Sequence, residues 1–120
     1  MITLLLVDDD ALVRETLRIR LSLEPDLLVL DEAEDGQEAL NLAEALHPDI
    51  VVMDVRMPGM GGIAATERLH EIVPSIVVVM CSNCKRSDIE AQAIAAGAAA
   101  FVDKMAPVDH LLNVIRQVVS

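Results

Sequence analysis

Aromatic side chains are nearly missing from this sequence: Phe101 is the only one, and tryptophan and tyrosine are absent. The apolar content, 53% of residues, is therefore almost all aliphatic, and intrinsic fluorescence is a poor probe of the fold. Cysteine is scarce as well. Cys81 and Cys84 are too few and too close for the disulfide framework of a small secreted domain. Basic residues number nine against twenty acidic ones, a formal charge of −11. A chain of that sign repels nucleic acid, which is bound chiefly through Lys and Arg neutralising phosphates. No apolar run reaches the roughly eighteen residues of a membrane-spanning helix. The start, Met1-Ile2-Thr3-Leu4, lacks the basic stretch and cleavage site of a secretory signal. A cytoplasmic chain that itself binds neither membrane nor nucleic acid is the expectation. Repeats, linkers and low-complexity tracts are lacking too, and 120 residues suit one domain, 1–120, with a real core.

What the sequence does have is an unbroken alternation of strand and helix signals. Residues 2–8, 28–33, 50–53, 76–80 and 99–103 read as strands. The first helix runs from about Ala11 to Leu23, with Val13, Leu17 and Leu21 on one face and Pro25 beyond its end. Gly36 to Leu46 reads as the second, with Ala39, Leu40, Ala43 and Leu46 inward and Pro48 closing it. The third is Ile63 to Ile72, stopped by Pro74, and the fourth runs from about Asp88 to Ala96 with Gly97 as its C′ residue. The fifth begins near Pro107, and Val108, Leu111, Leu112, Ile115, Val118 and Val119 follow the helical period closely. Such alternation means right-handed crossovers and a parallel sheet covered on both faces, an α/β architecture. The runs at 50–53 and 76–80 lack alternation, as buried central strands do.

The chemistry lies where the strands stop. Asp8, Asp9 and Asp10 end the first apolar run, and Asp54 ends Ile50-Val51-Val52-Met53. Carboxylates there lie at the C-terminal edge of the sheet, where open α/β sheets bind ligands. Two carboxylates about 5 Å apart repel by roughly 3 kcal/mol at an effective dielectric near 20. A hard divalent cation held by oxygen ligands, most often Mg2+ where phosphate chemistry follows, resolves that repulsion. Ser82 follows the fourth strand and Lys104 the fifth, so a metal, a carboxylate, a hydroxyl and an ammonium converge on one small anion.

The stretches Val7-Asp8-Asp9 and Asp54-Val55-Arg56-Met57-Pro58-Gly59, with Ser82 and Lys104, resemble the receiver domains of two-component response regulators. The resemblance covers essentially the whole chain. It implies a flavodoxin-like (βα)5 three-layer sandwich with a five-stranded parallel sheet of order 2-1-3-4-5. It further implies that Asp54 is the phosphoacceptor and Asp9 the direct Mg2+ ligand. Asp8 would be an acidic partner at the metal, and the backbone carbonyl of Arg56 would complete the protein's share. Lys104 and Ser82 would meet the phosphoryl oxygens. Ser82 and Phe101 would be the switch residues, acting on the surface of helix four, strand five and helix five. The implied partner is a sensor histidine kinase, with homodimerisation on phosphorylation. No enzyme activity follows beyond the domain's own phosphorylation and dephosphorylation.

Two positions depart from the family. Asn83 stands after the switch hydroxyl, where Ala or Gly is usual, and Met105 follows Lys104, where many receivers have proline. The Lys104-x-x-Pro107 spacing and Gly61-Gly62-Ile63-Ala64-Ala65-Thr66 resemble the NarL/FixJ subgroup, whose members usually carry a LuxR-type helix-turn-helix. With the sequence ending at Ser120, that domain is expected to be absent or removed.

Other readings of the same residues stand beside these. Asp10 before the first helix fits an N-cap. Cys81-Ser82-Asn83-Cys84 has redox-motif spacing, but such motifs open a helix directly, whereas Cys81 ends a buried strand. Asp8-Asp9-Asp10-Ala11-Leu12 loosely resembles haloacid-dehalogenase phosphatases, with Asp8 as nucleophile and Asp10 as general acid; a short chain without a cap insertion argues against it. A pseudo-receiver that is never phosphorylated usually lacks the acceptor, the acidic pair or the lysine, and all are present.

Overall fold

The computed structural model describes residues 1–83 and 87–119. Five strands alternate with five helices: β1 (Ile2–Val7), α1 (Ala11–Ser22), β2 (Leu27–Ala33), α2 (Gly36–Leu46), β3 (Ile50–Met53), α3 (Gly62–Ile72), β4 (Val77–Ser82), α4 (Ser87–Ala95), β5 (Ala100–Asp103) and α5 (Val108–Val118). The strands form one parallel sheet of order β2-β1-β3-β4-β5. The expected flavodoxin-like arrangement is the one observed.

Because side chains alternate along a strand, each central strand feeds two cores. Leu5, Val7, Val51, Met53, Val78 and Met80 pack under α2, α3 and α4. Leu4, Leu6, Ile50, Val52, Val79 and Val102 face α1 and α5 through Leu21, Leu111, Leu112 and Ile115. Every residue of β3 is buried, which explains its unalternating sequence. With one aromatic side chain available, density comes from interleaved Leu, Ile, Val, Met and Ala. Alanines at 39, 43, 65 and 93 let the helices lie close to the sheet.

Several boundaries differ from the pattern-based ones. Leu46, expected inward, is exposed: α2 ends there, and His47 takes a left-handed conformation that turns the chain away. Pro107 is the N-cap residue of α5 and so lies one position before the helix. Ser82 is the last residue of β4 itself, paired with Asp103 of β5. That pairing fixes the height of the hydroxyl and of the neighbouring Lys104 at the sheet edge. Gly97 is the left-handed residue that the pattern places after α4, with φ 112°.

Candidate functional site

The β1–α1 turn is built by its own aspartates. Asp10 caps α1, its carboxylate accepting from the backbone N–H of Leu12 at 2.9 Å and Val13 at 3.4 Å. Asp8 accepts from the N–H of Asp10 at 2.9 Å, closing a local turn, while its own N–H continues the sheet to the carbonyl of Ala33. Asp8 is thereby buried under the turn and Asp9 left exposed. The backbone of Asp54 continues β3 alongside β1, its N–H donating to the carbonyl of Val7 at 2.9 Å.

Helix α3 presses on Asp54 from the other side. The N–H of Gly62 donates to the carbonyl of Val55 at 2.9 Å, and a Cβ at position 62 would stand 1.9 Å from the carbonyl oxygen of Asp54. Only glycine permits that approach.

Asp8, Asp9 and Asp54 each offer a carboxylate oxygen, and the three atoms lie within 4.8 Å of one another. Lys104 bridges two of them, its Nζ 2.6 Å from Asp8 Oδ2 and 3.1 Å from Asp54 Oδ2. Its backbone N–H donates to the carbonyl of Ser82 at 3.0 Å, so the β5 end is tied to the β4 end. Ser82 is buried beside them. Met105, in place of a proline, donates its backbone N–H to Asp103 Oδ1 at 2.9 Å, a bond that proline cannot make. The sequence-selected residues Asp8, Asp9, Asp54, Ser82 and Lys104 therefore meet at one edge. Arg56 lies beside them and Asn83 lines the same open cleft of about 870 Å³.

Burial pushes the Asp54 carboxyl above the usual carboxylate range; Lys104 pulls it back, Asp8 pushes it further up, and the Arg56 backbone N–H favours the charged form. Burial alone would lower Lys104, but its bonds to Asp8 and Asp54 outweigh this and hold the ammonium charged above its ordinary range. The thiol of Cys81, facing α1 and α5, is pushed up to about 11 by burial, which makes it a poor nucleophile. Cys84 lies outside the described residues. Phe101 is half-buried and packs against the same core face as Ile89 of α4.

The donor set fits a hard divalent cation. It consists of carboxylate oxygens, one exposed member gives access, and a lysine ammonium already occupies the position of compensating charge. Sequence reasoning missed Arg14, whose Nη1 donates to the carbonyl of Asp8 and whose Nε lies 3.2 Å from Glu32 Oε1. A charged residue beside the inward stripe of Leu17 and Leu21 was the available signal.

A family model for the response regulator receiver domain matches residues 4–116. The chain belongs to that family. Receiver domains serve two-component signalling, generally partner histidine kinases and are not enzymes beyond their own phosphorylation chemistry. Clustered acidic residues such as Asp8, Asp9 and Asp54 are typical of their Mg2+ site. Among solved structures, a LuxR-family two-component response regulator from Aurantimonas sp. SI85-9A1 is 34% identical. Its match covers 97% of this chain and 83% of that one, with a TM-score of 0.93. The response regulator domain of Thermotoga maritima CheB is 32% identical over 98% of this chain and 95% of that one, TM-score 0.91. The CheX-CheY-BeF3-Mg+2 complex from Borrelia burgdorferi contains a chain 25% identical, covering 99% of this chain and 90% of its own, TM-score 0.91. Similar receivers thus include LuxR-family and CheB/CheY types. A search of curated proteins found no match. None of the described helices is long and apolar enough to cross a membrane.

Proposed function

We propose that this receiver is a phosphorylation-dependent switch whose Asp54 accepts a phosphoryl group from the phosphohistidine of a sensor histidine kinase. In the transfer a carboxylate oxygen of Asp54 bonds to phosphorus as the N–P bond of the donor breaks. The electron pair returns to the imidazole nitrogen, and an acyl phosphate remains on Asp54. The protein's part is positioning and charge neutralisation, since phosphoryl transfer needs little covalent help. Asp8, Asp9, Asp54 and the backbone carbonyl of Arg56 would hold Mg2+, which when bound offsets charge on the phosphoryl oxygens. Lys104 exchanges part of its pairing with Asp54 for the incoming oxygens, and Ser82 donates to one of them.

The observation that supports this reading best is the convergence of Asp54 with Asp8, Asp9 and Lys104 at one sheet edge, with Ser82 buried beside them. The cleft adds access for a protein donor. Its lining includes Leu12, 69% exposed, and Met105, 76% exposed, together with the acidic cluster. A kinase helix that presents a histidine gains apolar contact there while its phosphoryl group points at Asp54.

Downstream, inward movement of Ser82 draws on Phe101, whose half-buried ring packs on the same core as Ile89 of α4. The responding surface is α4, β5 and α5, the output transcription, and the active form a homodimer. Lys104-x-x-Pro107 and the 61–66 segment, with the 34% identity to a LuxR-family regulator, favour a NarL/FixJ-like receiver comprising residues 1–120, acting in the cytoplasm. A DNA-binding partner domain would carry the nucleic-acid contact, since the −11 charge of this chain opposes it.

The phosphatase reading finds little support. Asp10, its required general acid, is engaged as the cap of α1, and Asp8 is buried against Lys104. Incubation with a small-molecule phosphodonor and Mg2+ should add one phosphate, and Asp54→Asn should abolish it. Undiminished labelling of that variant would overturn the assignment and return Asp8 as nucleophile.

A further inference from the structure

We infer that Arg14 is a positioning residue for the metal-binding turn, a role that rests on the Mg2+ site proposed above. Arg14 sits in the second turn of α1 with its side chain 15% exposed, unlike the neighbouring Arg18 at 46%. Its Nη1 donates to the backbone carbonyl of Asp8, the oxygen of the peptide that joins Asp8 to Asp9. Its Nε is held by Glu32 of β2 at 3.2 Å, and the other oxygen of Glu32 is bound by Arg18 at 2.8 Å. Arg14 also lines, with Asp8, Asp54 and Lys104, a small void of about 10 Å³.

This arrangement restrains an element of the site that Lys104 does not reach. Lys104 reaches the side chains of Asp8 and Asp54, which are buried and held by the strands. Asp9 is exposed, two residues past the end of β1, so its direction is set by the plane of the peptide before it. A peptide plane is rigid, and fixing its oxygen fixes the outgoing chain. Arg14 supplies that restraint in a fork geometry that a lysine ammonium lacks, with Glu32 locking the guanidinium in place. The chain of contacts from Glu32 through Arg14 to the Asp8 carbonyl thereby sets how well Asp9 faces Asp54. Groups that orient metal ligands typically contribute about 10–100-fold in metal affinity.

The test measures Mg2+ affinity by NMR titration of the receiver and of Arg14→Ala, Arg14→Lys, Glu32→Gln and Arg18→Ala. Backbone 15N relaxation of residues 8–10 in metal-free protein supplies a second readout. The expectation is a loss of about tenfold in affinity for Arg14→Ala, the lower end of the effect of such orienting groups. Glu32→Gln should lose less, Arg14→Lys should recover part, and Arg18→Ala should match the parent. Residues 8–10 should become more mobile in Arg14→Ala without metal, while the remaining amide signals keep their positions. Parent-like Mg2+ affinity in Arg14→Ala, or equal losses in Arg14→Ala and Arg18→Ala, would overturn the inference. Should Arg14→Ala fail to fold, Glu32→Gln decides: unchanged affinity and unchanged mobility of residues 8–10 would overturn it equally. A parent that binds no Mg2+ would overturn the proposed metal site, and this role with it.

Discussion

Lys104→Met, studied without metal, isolates what holds the acidic cluster together. The ammonium lies 2.6 Å from Asp8 and 3.1 Å from Asp54, and all three side chains are at most 14% exposed. Coulomb attraction at an effective dielectric near 20 is about 6 and 5 kcal/mol for the two pairs, most of it offset by desolvation. Methionine keeps the volume of the stem and removes the charge. The remaining carboxylates, within 4.8 Å of each other, then repel by about 3.5 kcal/mol. Truncating one partner of a buried ion pair costs about 3–5 kcal/mol in general. Protonation sets a ceiling here. Protonating one carboxyl with an unfolded-state pKa of 3.8 costs about 4.4 kcal/mol at pH 7 and about 1.6 kcal/mol at pH 5. The expected loss is therefore about 3 kcal/mol at neutral pH, shrinking to roughly 1.5 kcal/mol near pH 5.

The sign follows from Asp54. Its folded-state pKa is raised, so the native state binds the proton more tightly, and stability rises as pH falls from above that pKa towards 3.8. Removing Lys104 raises it further and steepens the gain. Urea unfolding followed by far-UV circular dichroism measures this, since neither Trp nor Tyr is present. Saturating Mg2+ should stabilise the variant more than the parent, because it supplies the missing positive charge. A loss below 1 kcal/mol at neutral pH, or one that does not shrink on acidification, would refute the reasoning.

Gly62→Ala places a methyl group 1.9 Å from the Asp54 carbonyl, so α3 must retreat or Asp54 must shift. We expect a loss of about 3 kcal/mol or more in thermal unfolding and slower phosphorylation, whereas Gly61→Ala, with 3.2 Å to the Val55 carbonyl, should be milder; equal effects would disprove the close-approach argument. Asn83 is exposed and lines the cleft that holds Asp54, and we expect it to crowd the path of a small phosphodonor. Asn83→Ala should speed phosphorylation by less than about tenfold, a change worth under about 1.4 kcal/mol. A rate at or below the parent's would show that the side chain points away from that path.

Much of the fold was legible because periodicity reports burial directly. Ile50-Val51-Val52-Met53 lacks alternation because β3 is covered on both faces, and α5 shows its stripe because Leu111, Leu112 and Ile115 face one core. Leu46 misled because helical periodicity cannot see that the helix ends under it, at a left-handed His47. The acidic residues were legible as strand ends. Lys104 was legible as a strand end in the same way, but its direct pairing with Asp8 was not, because side-chain reach between residues distant in sequence leaves no pattern. Gly62 reads as a turn residue in the sequence, and only the packing of α3 shows that it marks contact with the Asp54 carbonyl.

Charge at the site links its parts. Three carboxylates and one ammonium leave a net of two negative charges within a few ångströms, which a divalent cation neutralises and a monovalent one does not. Phosphorylation of Asp54, as proposed, would spend that carboxylate's charge in the acyl bond and add about −1.5 to −2 on the phosphoryl group. The site would then carry about half to one further negative charge that neither Lys104 nor a single divalent cation offsets. A further donor would be needed at the phosphoryl oxygens, and the Ser82 hydroxyl, buried at the end of β4 and lining the same cleft, is placed to be one. Ser82 is tied through its carbonyl to the backbone of Lys104 and paired with Asp103, two residues beyond Phe101. On the proposed function, movement of Ser82 towards the new charge would therefore pull on β5. That is the route we propose from a modification at the sheet edge to the half-buried ring of Phe101, which packs on the same core as Ile89 of α4.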